Sequence, residues 1–372
     1  MKSNYKALYE LVERIDERNS DGSVTDLLGV SIDKCFIKSV ANTNGTDLTK
    51  YKVIRKDDFA VSLMQVSRDS KIPVARLDEY DKAIMSPAYP IFRVKDKKVI
   101  LPEYLDMWFK RPEFDREAAF IAVGGVRGSM PWEEFEKMQL PVPPIEEQLE
   151  IVASYKAITD RIALKRRIND NLEAAMRALF EHFVVSNEAY DFDEAIDDKI
   201  DFINGLAMQN YRPEKDETPI PVIKIRELSQ GYCDENSEFC SNHIDKSHII
   251  QNGDLVFSWS GSLQASFWTS QTAGLNQHLF KVQSDEYPLW FVYEWVTFHL
   301  LNFQRIAENK GTTFGHIKRE DLHNAKIKSV GIDEINKLNN LFQPLLNTII
   351  ANSTELHRLM NYQRVLLARL SR

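Results

Sequence analysis

The sequence predicts an α+β chain of two repeated domains, each mixing strands and helices and each followed by a long helix, with the two helices forming an antiparallel coiled coil. Three observations carry this. A segment near the middle matches one near the end at a constant shift of 187 residues. Behind each match runs an apolar heptad pattern. Ahead of each match, short β-type runs surround one helical stretch. At 372 residues the chain suits two domains and a connection rather than one core. The boundaries that follow are 1–143 for the first domain, 144–186 for a central helical spacer, 187–331 for the second domain and 332–372 for a C-terminal helical spacer.

The repeat is read most clearly around two loops. GGVRGSMPWEEFEKMQLPVPPIEEQLEIV at 124–152 meets GTTFGHIKREDLHNAKIKSVGIDEINKLN at 311–339, so that Gly124 meets Gly311, Gly128 meets Gly315 and Met130 meets Ile317. Upstream, VIRKDDFAVSL at 53–63 resembles IIQNGDLVFSW at 249–259, with Asp58 against Asp254 and Ser62 against Ser258. In the first copy KYKVI, FAVSL and YPIFRV read as strands and LPEYLDMWFKRPEFDREAAF at 101–120 as a helix. In the second, PVIKI, DLVFSW and HLFKV read as strands and 288–310 as a helix.

Alternate steps of four and three trace the helical seams. The first runs Ile151, Tyr155, Ile158, Ile162, Lys165, Asn169, Leu172, Met176, Leu179 and Phe183. Adding 187 gives Leu338, Phe342, Leu345, Ile349, Asn352, Leu356, Leu359, Gln363, Leu366 and Leu370. A two-fold relation between the copies makes the pair antiparallel, so facing positions have a constant sum. Ile151 then faces Leu370, Leu172 faces Ile349, and Asn169 faces Asn352. An amide pair in an apolar seam costs stability and fixes register, because a slip buries unpaired amides. The Lys165 stem is expected to cover Leu356 while its ammonium reaches water. About 33 residues of helix span roughly 50 Å at 1.5 Å each, the length of a spacer.

Composition sets the class. The 43% hydrophobic and 27% charged content is that of a soluble globular protein. No apolar run has the length of a membrane span, and the opening MKSNYKALYELVERIDERN is charged and amphipathic, so a cytoplasmic chain is expected. Cys35, Cys233 and Cys240 give no disulfide framework, and Cys233 and Cys240 with His243 and His248 fit no closed four-ligand zinc pattern, so ordinary buried thiols and no metal are expected. The net charge of −8 opposes a nucleic-acid partner at first sight, but seven acidic residues against one lysine in 188–201 supply most of it. Basic clusters stand at Lys50, Lys52, Arg55 and Lys56, at Arg93, Lys95, Lys97 and Lys98, and at Lys165, Arg166 and Arg167.

LPVPPIEEQLEIV, leading into a heptad helix that ends LEAAMRALF, resembles the central helical region of type I restriction–modification specificity subunits. IMSPAYPIF, LPEYLDMWFKRPEFDRE and VRGSMPWEEF resemble one of that family's target-recognition domains. PVIKIREL, GDLVFSWSGSL, GLNQHLFKV and GTTFGHIKREDL resemble another. The C-terminal copy departs from the Pro-Pro-x-x-Glu-Gln form, reading VGIDEINKL. The resemblance implies that each domain reads half of a split site in double-stranded DNA. It implies that the paired helices set the gap and dock two modification subunits, which bring S-adenosylmethionine and methylate adenine. A restriction motor-nuclease subunit joins them, and the chain itself binds no cofactor. Neither a GxxxxGKS phosphate loop nor an Asn-Pro-Pro-Tyr/Phe tetrapeptide occurs in the sequence.

Base reading needs Arg, Lys, Asn or Gln side chains or hydroxyls on exposed loops. The loop at 124–129 offers Arg127 and Ser129. Its counterpart at 311–319 offers Thr312, Thr313, His316, Lys318 and Arg319. Ser258, Ser260, Gln277, His278, Arg55 and Arg68 complete the candidates; each taken alone reads more readily as a structural residue or a phosphate contact than as a base reader. Trp259, Trp268 and Trp295 read as core aromatics, and Trp132 as core or contact. Two other readings compete: a coiled-coil interaction scaffold that binds no DNA, and a hydrolase built on His278 or His316 with a carboxylate, for which no nucleophile elbow is present.

Overall fold

A computed structural model of the chain describes residues 4–39, 46–64, 66–123, 128–309 and 315–370. The chain divides into two compact units, one of residues 1–160 and 361–372 and the other of residues 161–360. The division passes through both long helices.

In the first unit, β1 (Tyr5–Ala7) pairs with β10 (Gln139–Pro141). β2 (Val12–Ile15), β6 (Phe59–Val61), β7 (Val74–Arg76) and β9 (Ile91–Val94) form an antiparallel sheet in the order β2-β9-β6-β7. β3 (Leu27–Val30), β4 (Phe36–Lys38), β5 (Lys52–Arg55) and β8 (Lys82–Met85) form a second sheet in the order β4-β3-β8-β5, with β3 and β8 parallel. The central strands of the first sheet, β6 and β9, are covered on both faces, and the two-residue period of a strand sorts their side chains. Phe59, Val61, Phe92 and Val94 point into an aromatic core with Tyr104, Trp108, Phe109, Phe114 and Phe135. Ala60 and Ile91 point the other way, against Leu28, Ile54 and Met85 of the second sheet. The result is three layers: helices, sheet, sheet.

The second unit repeats this plan strand for strand. β11 (Phe192–Ala195) pairs with β20 (Lys326–Lys328). β12 (Asp201–Asn204), β16 (Leu255–Ser258), β17 (Gln264–Phe267) and β19 (Leu279–Gln283) take the order β12-β19-β16-β17. β13 (Ile220–Ile223), β14 (Phe239–Cys240), β15 (Ile249–Ile250) and β18 (Ala273–Leu275) take the order β14-β13-β18-β15, again with one parallel pair. Leu255, Phe257, Phe280 and Val282 face the helical layer, while Val256 and Leu279 face the second sheet.

The sequence match at Asp58 and Asp254 has a structural cause. Each carboxylate accepts the backbone N–H three residues earlier, from Arg55 at 3.0 Å and from Gln251 at 2.7 Å. Each then pairs with a cation on the neighbouring strand, Arg93 at 2.9 Å and Lys281 at 2.8 Å. The turn needs one left-handed residue, Asp57 at φ +68° in the first copy and Gly253 at φ +94° in the second.

The helix expected over 101–120 is two, Pro102–Phe109 and Pro112–Ile121. Pro112 supplies no N–H and pushes Arg111 to an extended conformation (φ −76°, ψ 136°), so the chain turns there and begins again. The second-copy stretch lacks such a proline and forms a single helix, Leu289–Asn309. Gln148 of the PPIEEQ run is fully buried: its carbonyl accepts from Leu101 N at 2.9 Å, and its amide donates to Val99 O and Pro143 O. The second copy has a buried Ile335 at this position, so the clamp is apolar there. Of the cysteines, only Cys240 is buried; Cys233 is half-buried and Cys35 exposed, which corrects the expectation of three buried thiols. Burial pushes the Cys233 and Cys240 thiols up, to about 12 and about 11.

The long helices run Ile145–Phe180 and Ile332–Arg369. Every seam position from 151 to 179 and from 338 to 370 is buried or half-buried. Phe183 is not: it is exposed, because a π-helical stretch, Glu181–Val185, follows the first helix and shifts the register. In the first unit Gln363 donates to Thr159 at 3.0 Å, and Leu370 joins a core that includes Ile151. In the second unit the amide of Asn352 donates to Asn169 at 2.9 Å. Asn169 in turn donates to Ser353 at 2.9 Å. The pairing is antiparallel with the expected sum. Lys165 differs from expectation: its ammonium turns inward to Asn352 Oδ1 at 2.6 Å and Glu355 at 2.9 Å rather than to water. Among the described residues no helix is long and apolar enough to cross a membrane.

Two predictions follow from this packing. Asn169→Leu strands the Asn352 amide in the seam and lowers the stability of the second unit by about 1–3 kcal/mol. Asn169→Leu with Asn352→Leu recovers most of that loss; urea unfolding of parent, single and double variants checks both, and a single variant as stable as the parent refutes the pairing. The second concerns Glu294, fully buried in the helix Leu289–Asn309, with Arg177 at 3.2 Å. Burial pushes its carboxyl up to about 7, against the pull of Arg177 and helped by Glu173. A folded-state value above the unfolded one adds stability at low pH that is lost as pH rises from about 4.5 to about 7. Glu294→Gln is therefore expected to be more stable than the parent above pH 7, by up to ~3 kcal/mol, with the difference closing toward pH 5. Unfolding midpoints of both proteins at pH 5 and pH 8 measure this.

Candidate nucleic-acid interface

Three distant stretches meet at the end of β16. The chain leaves that strand through Trp259, Ser260 and Gly261. The loop after the helix Leu289–Asn309 closes against it: Ile317 N donates to Trp259 O at 3.0 Å, Gly261 N to Gly315 O at 2.9 Å, and Ser260 and His316 form an antiparallel bridge. Gly315 lies tight against the helix Leu289–Asn309 on its other side, where a Cβ would be 2.6 Å from Ala307 O. From the third side comes the turn between β18 and β19. Buried Asn276 accepts from His278 N at 3.3 Å, and His278 Nδ1 lies 3.2 Å from Ser260 Oγ.

These residues line a cavity of about 530 Å³ formed by Ile225, Trp259, Ser260, Gly261, His278 and His316. The Trp259 ring centroid is 5.8 Å from that of His278 and 6.4 Å from that of His316. The indole N–H is buried and has no hydrogen-bond partner among the described residues. Trp259 is thus half-buried, packed on the core on one side and forming a wall of the pocket on the other, unlike Trp268 and Trp295, which are fully buried. The sequence grouped all three as core; an aromatic residue between serines in SWSGS, beyond the alternating part of the strand, is the signal that would have set Trp259 apart.

Ser260, His278 and His316 are therefore brought together, with Gln277 exposed beside them and its amide 3.4 Å from His278 Nε2. Ser258 is not a surface residue: it is fully buried, with its hydroxyl on Ser260 O at 3.0 Å, so it holds the loop. Lys318 is exposed, and its backbone N–H donates to Asp321 at 2.6 Å to open the short helix Arg319–His323. Arg319 is exposed, but its guanidinium is held against the domain. Its guanidinium donates to Phe202 O at 2.6 Å and stacks over Phe280 at 4.9 Å. The equivalent residue of the first copy is Trp132, which packs on the equivalent Phe92 at 5.7 Å. Arg127, Thr312 and Thr313 lie outside the described residues.

The first domain builds the same loop closure with different side chains. Met130 N donates to Leu63 O at 2.9 Å, matching the Ile317–Trp259 bond. Leu63, Met64 and Ser129 stand where the second domain has Trp259, Ser260 and His316, with Met64 exposed and Ser129 half-buried. The cations here are largely engaged with carboxylates. Arg55 forks onto Glu17 at 2.6 and 3.0 Å, Arg68 pairs with Asp69 at 2.8 Å, and Lys97 pairs with Asp57 at 2.8 Å. Pairing with Glu17 and with Asp69 holds the guanidinium groups of Arg55 and Arg68 above their ordinary range.

The hydrolase reading gains nothing from this geometry: the described polar neighbours of the His278 ring are a hydroxyl and an amide, with no carboxylate to orient it. One group of metal-ligand type lies elsewhere among the described residues, Asp197, Asp198 and His323, with ligand atoms within 4.8 Å of one another and mostly exposed.

No protein-family model matches the chain. The chain is 23% identical over 302 residues to the type I restriction enzyme MjaIX specificity subunit of Methanocaldococcus jannaschii, covering 74% of this chain and 69% of that protein. It is 29% identical over 101 residues to the EcoBI specificity subunit of Escherichia coli, covering 27% of this chain and 21% of that one. The chain is thus similar in sequence to type I specificity subunits. Its fold agrees: the crystal structure of the type I restriction–modification S subunit from M. genitalium superposes with a TM-score of 0.57 over 99% of this chain and 96% of that one. At 12% identity this last likeness is one of fold. Against the specificity-subunit fold, Arg319 belongs to the scaffold that presents the pocket. Arg319→Ala is expected to destabilise the second unit by about 1–2 kcal/mol through loss of the charged hydrogen bond to Phe202 O. Urea unfolding followed by tryptophan fluorescence checks this; an unchanged midpoint refutes the structural role.

Proposed function

We propose that the chain is the non-catalytic specificity subunit of a type I restriction–modification system, binding double-stranded DNA at a target split in two halves. Each domain reads one half, and the helix pair sets the gap between them. Two modification subunits dock on the chain, supply S-adenosylmethionine and methylate adenine, and a motor-nuclease subunit joins for restriction. The chain itself supplies recognition, works in the cytoplasm and binds no cofactor. The observation that carries this reading is the repeat. Two domains share three sheets in the same strand order, and each is followed by one helix of an antiparallel pair with a common register. Such a chain presents two similar but differently lined surfaces, which suits two different half-sites. Similarity to specificity subunits supports the same reading, and no observation favours a scaffold without DNA.

Methylation sequencing of a host with and without the gene is expected to reveal an adenine-methylated bipartite motif that depends on it. Exchanging residues 200–330 for the second domain of another specificity subunit is expected to change one half of that motif and leave the other half and the gap intact. If both halves change, or the gap does, the domains are not independent readers.

A further inference from the structure

The pocket around Trp259 has chemistry that the first domain lacks. Its walls are an indole and two imidazoles, with Ile225 completing the apolar lining. Its volume of about 530 Å³ falls in the range of small-molecule sites, roughly 300–1,000 Å³. That is far more room than a thymine methyl or a single water of about 30 Å³ needs. The Trp259 N–H is itself buried and lacks an acceptor among the described residues, so what the indole offers the pocket is its ring. The Ser260 hydroxyl and the His278 and His316 rings add groups that both donate and accept. Three backbone hydrogen bonds, Ile317 N to Trp259 O, Gly261 N to Gly315 O and Trp259 N to His278 O, fix the walls before anything binds. A flat aromatic ring edged with hydrogen-bond acceptors meets all of these features at once. In a duplex the faces of the bases are covered by their neighbours, so only a base out of the stack can offer one.

We propose that this pocket receives one nucleobase lifted out of the stack of the DNA bound by the second domain. This rests on the DNA-binding reading above and adds to it a difference between the half-sites. Among the described residues, the first domain places Leu63, Met64 and Ser129 at the positions of Trp259, Ser260 and His316, and none of these three carries a ring.

The test uses the chain assembled with its modification subunits, on duplexes carrying the motif found by methylation sequencing. Each base pair of the second half-site is turned into a mismatch by changing only the opposite base. Weakened pairing lowers the cost of lifting the base out, so at one position binding is expected to tighten by roughly tenfold. Trp259→Ala abolishes that gain, His316→Ala reduces it, and Trp259→Phe, which keeps a ring, retains part of it. The adenine taken by a modification subunit serves as internal control, since its response to a mismatch persists in Trp259→Ala. The proposal falls if no position tightens, or if tightening is indifferent to both Trp259→Ala and His316→Ala, while the parent complex still binds its motif. If Trp259→Ala does not fold by circular dichroism, His316→Ala decides. Failure of the parent complex to bind any duplex overturns the DNA-binding reading itself.

Discussion

Burial of the central strands of one four-stranded sheet on both faces is the constraint from which the rest of each domain follows. A strand covered on one side only can leave alternate residues polar; β6 and β16 cannot, and their apolar side chains alternate between one core and the other, with buried Ser258 bonded to the loop that leaves β16. The chain can leave such a sheet only at its ends. There the polar backbone must be satisfied by turns, and the carboxylates of Asp58 and Asp254 do this while drawing a cation from the neighbouring strand. The opposite ends of the same strands lead to the loops that close on the Gly128 and Gly315 segments. The candidate interface thus stands where the buried sheet runs out.

The repeat preserves geometry and lets chemistry drift. Gln148 clamps the start of the first long helix with three hydrogen bonds, and Ile335 does the corresponding work by apolar burial. Trp132 and Arg319 cover equivalent phenylalanines, one by ring packing and the other by a cation over the ring face. Where two copies of a domain keep a position and change its residue, backbone position was the retained property. The divergence of Leu63 and Trp259 within an otherwise equal loop closure is of another kind, because it alters what the surface can hold.

Charge carries less information here than its clusters promise. Lys52 lies 3.5 Å from Asp16, Arg55 and Arg93 hold carboxylates, and Lys165 pairs with Glu355 at 2.9 Å beside the helix seam. Such pairs have opposite charges within a few ångströms, so their field a Debye length away is small. A negative net charge and several basic runs are therefore compatible with one another and with either kind of partner. In the second domain the distinctive feature is instead an aromatic pocket.

The sequence by itself determined the two-fold plan, the positions of the long helices, and the register of their seam down to the amide pair, because each depends on a period that a linear string displays. It also marked Asp58 and Asp254 as equivalent without saying why. It misjudged the helix at 101–120, where one proline outweighed a continuous apolar pattern, and the seam at Phe183, where a π-helical stretch broke the period. Only the tertiary structure decided which candidate side chains share a surface. Ser260, His278 and His316 are far apart in the chain and meet because β16, the turn before β19 and the Gly315 loop converge. Ser258 and Arg319 look no different in the string but are spent on internal bonds. Local periodicity fixes elements; which polar atoms remain unpaired depends on neighbours that the chain supplies from elsewhere.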